Sequence, residues 1–191
     1  MSNNAANVSA GKPKIGGAVF RAPAGTTLPT DASSTLNEAF VALGYVSSDG
    51  VVISRSSTQT DLEAWGGDVV DVLETSVKDT VKLKLIEALN TDVLKAVHGS
   101  GNVSGTLANG VAVNVGDDGA EEGCWVVDMI LRGNTAKRIV IPRGKITELG
   151  DITYADNVPI GYEVTIRCLK DSSGKSRYEY LKTVSSGTSA S

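Results

Sequence analysis

Val69-Val-Asp-Val-Leu-Glu-Thr-Ser-Val-Lys-Asp-Thr-Val-Lys-Leu-Lys-Leu-Ile86 is the stretch on which the fold turns. From Leu73 on, Val77, Val81, Leu83 and Leu85 share one parity, and Glu74, Ser76, Lys78, Thr80, Lys82 and Lys84 share the other. A period of two sets one row of side chains against a core and the other in water, as in a half-buried strand. Thr75 and Asp79 interrupt the apolar row. A bulge or turn near residues 76–80 accounts for this, because one inserted residue changes which side chains point inward. The run reads as one long strand or as two strands with a sharp bend. It exceeds the usual ~5–6 residues, a length that serves a strand extending beyond its own core.

On the C-terminal side, residues 90–98 form an amphipathic helix. Asn90 caps it, Asp92 suits its first turn, Val93, Leu94 and Val97 make its apolar stripe, and Gly99 ends it. The Gly- and Val-rich stretch 99–123 ends in Asp117, Asp118, Glu121 and Glu122. Residues 125–131 form an apolar strand, and Gly133-Asn134 turns the chain into residues 137–141. Pro142 cannot donate to a ladder and ends that strand; residues 145–149 form another short one. Tyr162, Val164, Ile166 and Cys168 alternate with Glu163, Thr165 and Arg167. Asp171-Ser-Ser-Gly174 then closes a hairpin onto residues 177–183.

On the N-terminal side, Trp65-Gly66-Gly67 sets a large structural anchor beside two permissive backbone positions. Ser48-Asp49-Gly50 is a hairpin signal. Thr35 and Glu38 have capping-box spacing, and Leu36, Phe40 and Leu43 recur at helical intervals, so residues 35–43 read as a short helix. Residues 1–14 are a polar, flexible arm, and residues 15–21 begin the domain with a short strand. The domain spans 15–184, and 185–191 is a flexible tail. The fold class is mainly β, an antiparallel sandwich or barrel-like domain with one or two short flanking helices.

Composition agrees with this reading and narrows function. Valine, the commonest residue at 23 of 191, favours strands. The formal net charge of -4 argues against tight binding along a nucleic-acid backbone. Cys124 and Cys168 sit among apolar residues as small core thiols, although one bridge between them remains open. The polar start carries no signal-peptide pattern, and no apolar run approaches the ~20 residues of a spanning helix. No phosphate-binding loop, dinucleotide fingerprint, zinc-binding His pair, Cys-x-x-Cys or nucleophile elbow occurs, so no catalytic, cofactor-binding or metal residue is assigned. The lone His98 reads as a helix-end residue. The acidic run 117–122 lacks the ligand spacing of a calcium loop, leaving a solvated turn or an interface or lumen patch as readings beside a cation site.

Several blocks together resemble one family. They are Asp61-Leu-Glu-Ala-Trp-Gly-Gly-Asp-Val-Val, Thr75-Ser-Val-Lys-Asp-Thr-Val-Lys-Leu-Lys-Leu-Ile-Glu and Asn90-Thr-Asp-Val-Leu-Lys-Ala-Val-His-Gly. Gly17-Ala-Val-Phe-Arg-Ala-Pro precedes them, and Arg138-Ile-Val-Ile-Pro, Gly150-Asp-Ile-Thr-Tyr and Gly161-Tyr-Glu-Val-Thr-Ile follow in order. From residue 15 to 183 the chain resembles the major tail proteins of long-tailed, non-contractile phages of Gram-positive hosts. The resemblance implies hexameric rings stacked into a hollow tube, with four strands per subunit lining the channel. It implies a virion location after assembly in the host cytoplasm, and no catalytic residues. Expected partners are other copies of the chain, a tape measure protein, a tail terminator and distal tail or baseplate proteins, with double-stranded DNA passing transiently and without specificity. A long loop around residues 47–67 and the N-terminal arm would bridge rings.

A channel that must release DNA suits negative potential, since tight binding scales with phosphates neutralised by Lys and Arg. Asp68, Asp71, Glu74, Asp117, Asp118, Glu121 and Glu122 are the candidate lumen-facing acids, with Lys78, Lys82 and Lys84 running against them. Two alternatives stand beside this reading. One is a head–tail joining or tail-terminator ring, which does not polymerise indefinitely. The other is a β-rich host-adhesion module.

Overall fold

A computed structural model describes residues 3–14, 16–116 and 119–184. Ile15, Asp117, Asp118 and the tail 185–191 lie outside the described residues. In chain order the strands and helix are β1 (Lys12–Pro13), β2 (Val19–Pro23), β3 (Val41–Ala42), β4 (Val46–Glu63), β5 (Val69–Leu85), α1 (Thr91–His98), β6 (Val103–Thr106), β7 (Gly110–Val113), β8 (Gly123–Leu131), β9 (Thr135–Leu149), β10 (Tyr162–Leu169) and β11 (Tyr178–Thr183). All pairings are antiparallel. The main sheet runs β3-β2-β8-β9-β10-β5-β4, with β1 on β8 and β11 on β9, while β6 and β7 pair separately. The sheet is open; no closed barrel forms among the described residues.

The alternation of β10 appears as expected. Tyr162, Val164, Ile166 and Cys168 are buried, and Glu163, Thr165, Arg167 and Leu169 are half-buried. With Val81, Leu83 and Leu85 of β5 they form one wall of the main core, and Val93, Leu94, Ala96 and Val97 of α1 belong to the same cluster. α1 is built as the sequence implies: the Asn90 side chain accepts from the Asp92 amide at 3.0 Å, and Gly99 at φ 95° donates to Lys95. β8 is buried on both faces. Trp125 and Val127 join the main core, whereas Cys124 and Val126 join a second cluster with Ala22, Phe40 and Val140. A strand covered on both sides reads as continuous apolar sequence. The indole of Trp125 donates to the Gly144 carbonyl at 3.2 Å, and a Cβ on Gly144 would meet that ring at 2.6 Å. Glycine therefore lets β9 pass directly over the tryptophan. Cys124 and Cys168 are free, buried thiols.

Four local expectations change. Residues 35–43 form no helix: Asn37 Oδ1 takes the Ala39 amide, a donor that helix would have used, and Asp31 Oδ1 fixes the Ser33 and Ser34 amides in a turn just before it. Leu36 and Phe40 still pack, as the lid of the second cluster. Ser48-Asp49-Gly50 does not reverse the chain. The pairs Val46↔Leu85 and Val51↔Leu83 enclose extra residues in β4, and Gly50 at φ 72° takes the left-handed position of this bulge. Pro142 does not end its strand. It lies inside β9 where partners change, β11 pairing with residues 135–140 and β10 with residues 143–149. The turn at 171–174 forms, yet β11 is not the mate of β10; both lie along the same edge of β9, one after the other.

Candidate functional site

Asp79 marks the root of the feature that dominates the surface. A register row runs Arg55–Asp79–Cys168–Gly144–Gly123 across β4, β5, β10, β9 and β8. Past it β10 ends and β11 takes over the edge of β9, while β4 and β5 continue together with no third strand. The sheet forks, and residues 56–78 pair only with each other. From Asp79 to Val69 this arm is about 33 Å long at the usual strand rise. Every residue from 54 to 76 is exposed.

The root is held firmly. Asp79 is buried, bonded by the Arg177 guanidinium and by Ser176 Oγ at 2.7 Å. Arg177 also pairs with Glu179 at 3.1 Å, and Lys137 reaches Glu179 at 2.8 Å, which holds that carboxyl below its usual range. The aspartate that interrupts the apolar row is therefore a fixed post where the strand leaves the core.

The expected bulge lies at Thr75, just N-terminal to the predicted interval: Ser76 faces Thr58 and Glu74 faces Gln59. Thr75 Oγ1 donates to the Thr58 carbonyl at 3.0 Å. Beyond it the parity reverses. Leu73 moves to the Lys78 face, and Val72 and Glu74 take the face of Val77. Residues 47–63, expected as a loop, are strand, and only the tip is a turn. There Gly67 donates to Ala64 at 3.0 Å and Ala64 to Asp68 at 2.8 Å, with Gly66 and Gly67 at φ 130° and 91°. Trp65 is fully exposed at this tip; the expected structural anchor packs against none of the described residues.

Charge is divided along the hairpin. The arm carries Asp61, Glu63, Asp68, Asp71 and Glu74 with no basic residue between Arg55 and Lys78; Lys78 stands at its root, and Lys82 and Lys84 lie in the body. Lys82 meets Glu163 at 2.6 Å, which raises its pKa. Asp68, Asp71 and Glu74 thus cluster on one projecting element. Glu121 and Glu122 do not join them: they precede β8 and leave the row in the direction opposite to the arm, three strand spacings or about 14 Å across the sheet. Arg143 holds Glu122 through two contacts of 2.6 and 3.1 Å and pulls its carboxyl below the usual range; Ser100 donates to Glu121 at 2.6 Å. Asp117 and Asp118 lie outside the described residues.

Little else on the surface offers chemistry. Among the described residues no three His, Cys, Asp or Glu side chains converge as for a metal ion. His98 stands edge-on to Tyr162 at 6.0 Å, and burial lowers its pKa. Burial pushes the Cys168 thiol up to about 12, consistent with an inert core thiol. What the sequence reading missed is the apolar content of the arm: Leu62, Val69, Val70, Val72 and Leu73 are all exposed. The signal was one-sided: Val69-Val-Asp-Val-Leu follows Trp-Gly-Gly, but residues 56–64 before it are mostly polar and carry no run that marks the partner strand.

A solvent-exposed hairpin this long, with apolar side chains on both faces, leaves a surface that another chain can cover. A family model described as phage tail tube protein matches residues 1–189. The chain belongs to the phage tail tube protein family. No curated protein matches it. As a member of this family, the tail tube protein is a viral structural protein rather than an enzyme, with its place in the phage tail among other tail components.

Proposed function

We propose that this tail tube protein is the repeating unit of the tube wall: copies close into rings of six, the number the family resemblance implies, and rings stack around the path of the DNA. The observation that carries this is the β4–β5 arm. A lone two-stranded ribbon is marginal in water, and this one exposes a row of large apolar side chains. It becomes stable when neighbouring copies cover it. β4 also ends the sheet with one edge unpaired, which a neighbour can extend by strand addition. An open sheet closed in this way by copies around an axis is a barrel shared between subunits. Such a contact is heterologous, and stacked rings built from it form an open filament.

The arm carboxylates are the stronger lumen candidates. Asp68, Asp71 and Glu74 lie on a stretch of the hairpin, residues 56–77, without basic residues, and Asp71 and Glu74 take opposite faces, so either face turned inward presents one of them; Glu122 is already neutralised by Arg143. In this reading they keep phosphates from settling on the wall. Tape measure, terminator and distal tail proteins meet the two ends of the tube, after assembly in the host cytoplasm.

Electron microscopy of the purified protein across a concentration series tests the proposal. Rings and striated tubes whose length grows with concentration are expected. Dispersed monomers or trimers would point to an adhesion module, and rings that never stack to a terminator; either result overturns it.

A further inference from the structure

Trp65 and an apolar notch lie at opposite ends of the same strand. The notch is an open hollow of about 520 Å³ lined by Ile86, Glu87, Ala88, Leu89, Asn90 and Ile160, just past the end of β5. Leu89 at its lip is strongly exposed. Its shape is fixed from within: Glu87 accepts from the Tyr45 amide at 2.9 Å and from Asn90 Nδ2 at 3.1 Å. Gly44 makes room for that carboxyl, which fills the space a Cβ there would need. At the rim, the aliphatic stem of Lys84 lies across Gly161 beside Ile86.

We propose that Trp65 of one copy seats in this notch of the next copy along the tube. The inference rests on the tube-wall reading above and adds the contact that joins successive layers. No copy can fill its own notch, because Val69 and Leu85 alone are separated by about 53 Å of strand. The two surfaces suit one another. An indole supplies a large rigid apolar body, the kind of group that dominates interface energetics. Glu63, two residues before the tryptophan, brings negative charge to the lysine rim. A contact from the head of one copy to the tail of the next repeats without closing.

Trp65→Asp and Leu89→Glu test it in the full chain, since both side chains are exposed and neither change disturbs the core. Each variant should melt like the wild type and raise the critical concentration for tubes by at least about tenfold, the scale of a truncated interface hot spot. Mixed together, the two variants retain one working contact, the arm of Leu89→Glu into the notch of Trp65→Asp, and should form two-layer species that stop there. Tryptophan emission of the wild type should shift to the blue on assembly, and a Trp65→Phe control should lose that shift, because Trp125 is already buried. Wild-type-length tubes from Trp65→Asp, an unchanged emission on assembly, or a mixture without two-layer species would overturn the contact while leaving the tube wall intact. A wild type that forms no tubes would overturn both.

Discussion

Arg138 shows how one side chain can organise a surface. It faces Asp128 across the β8–β9 ladder, and its guanidinium meets both carboxylate oxygens at 2.7 and 2.8 Å with almost no solvent contact. Its remaining nitrogen donates to the carbonyls of Asp31 and Ser34 at 3.2 and 2.8 Å, tying down the loop that lids the second cluster. Removing one partner strands a buried charge, so Arg138→Met should cost about 3–5 kcal/mol in urea denaturation, and adding Asp128→Asn should recover much of the loss. Asp31 responds to pH. The Ser33 and Ser34 amides, each at 2.6 Å, pull its carboxyl down to about 2. A depressed pKa gives stability that is complete above the unfolded value near 4 and lost as pH falls through the folded value. The difference in urea midpoint between wild type and Asp31→Ala should be largest at neutral pH, shrink below about pH 4 and vanish near pH 2.

At the scale of elements, the arm and the body should behave as two stability classes. Amides of residues 56–76 sit in a two-stranded ladder over no core, and those of β10 lie between two strands under α1. Hydrogen exchange of the free protein should be fast in the arm and slow in β10, and the arm should gain protection in assembled tubes. Replacing residues 58–76 with a tight Asn-Gly turn between the paired Ser57 and Val77 should leave a cooperative melt near that of the wild type and abolish tubes; loss of folding would show that the arm supports the body.

Elements whose signal is periodic were legible from sequence. The buried rows of β10 and of β5 from Val77 to Leu85, and the capped α1, stand where the residues imply. What could not be read depended on partners distant in the chain. β11 chose β9 over its neighbour β10, a choice made by edges rather than by turn chemistry. Asp79 looks like a defect in a strand until Arg177 is placed on it. Thr35 and Glu38 imitate a helix start, but Asn37 takes the Ala39 amide on its own side chain and Asp31 holds the two amides just ahead of Thr35. The arm was hidden because its apolar residues face no core and so follow no burial rule.

For the whole molecule, the fork in the sheet sets a length. If Trp65 meets the notch of the next copy, successive layers are displaced by roughly the strand path between them. With strands inclined 35–45° as in closed barrels, its axial component is about 40 Å. Layer lines from wild-type tubes should show a repeat near this value, and a repeat half or twice as large would exclude the contact. Charge gives a second test, as the acidic arm beside lysine-bearing bodies makes stacking sensitive to salt. The critical concentration should rise between low and high ionic strength, and Lys84→Glu should flatten that dependence.

The ladder joining β4 to β5 has a mechanical consequence. In the proposed tube its strands run obliquely along the long axis, and Asp79 fastens them where they leave the body. Because both strands join the body at one end and each other at the tip, tension between layers would load them side by side, so two covalent backbones carry the pull and the hydrogen bonds of the ladder only keep them together. A ribbon too weak to stand alone in water would then act as a tendon, allowing a long flexible tail to bend without parting between its layers.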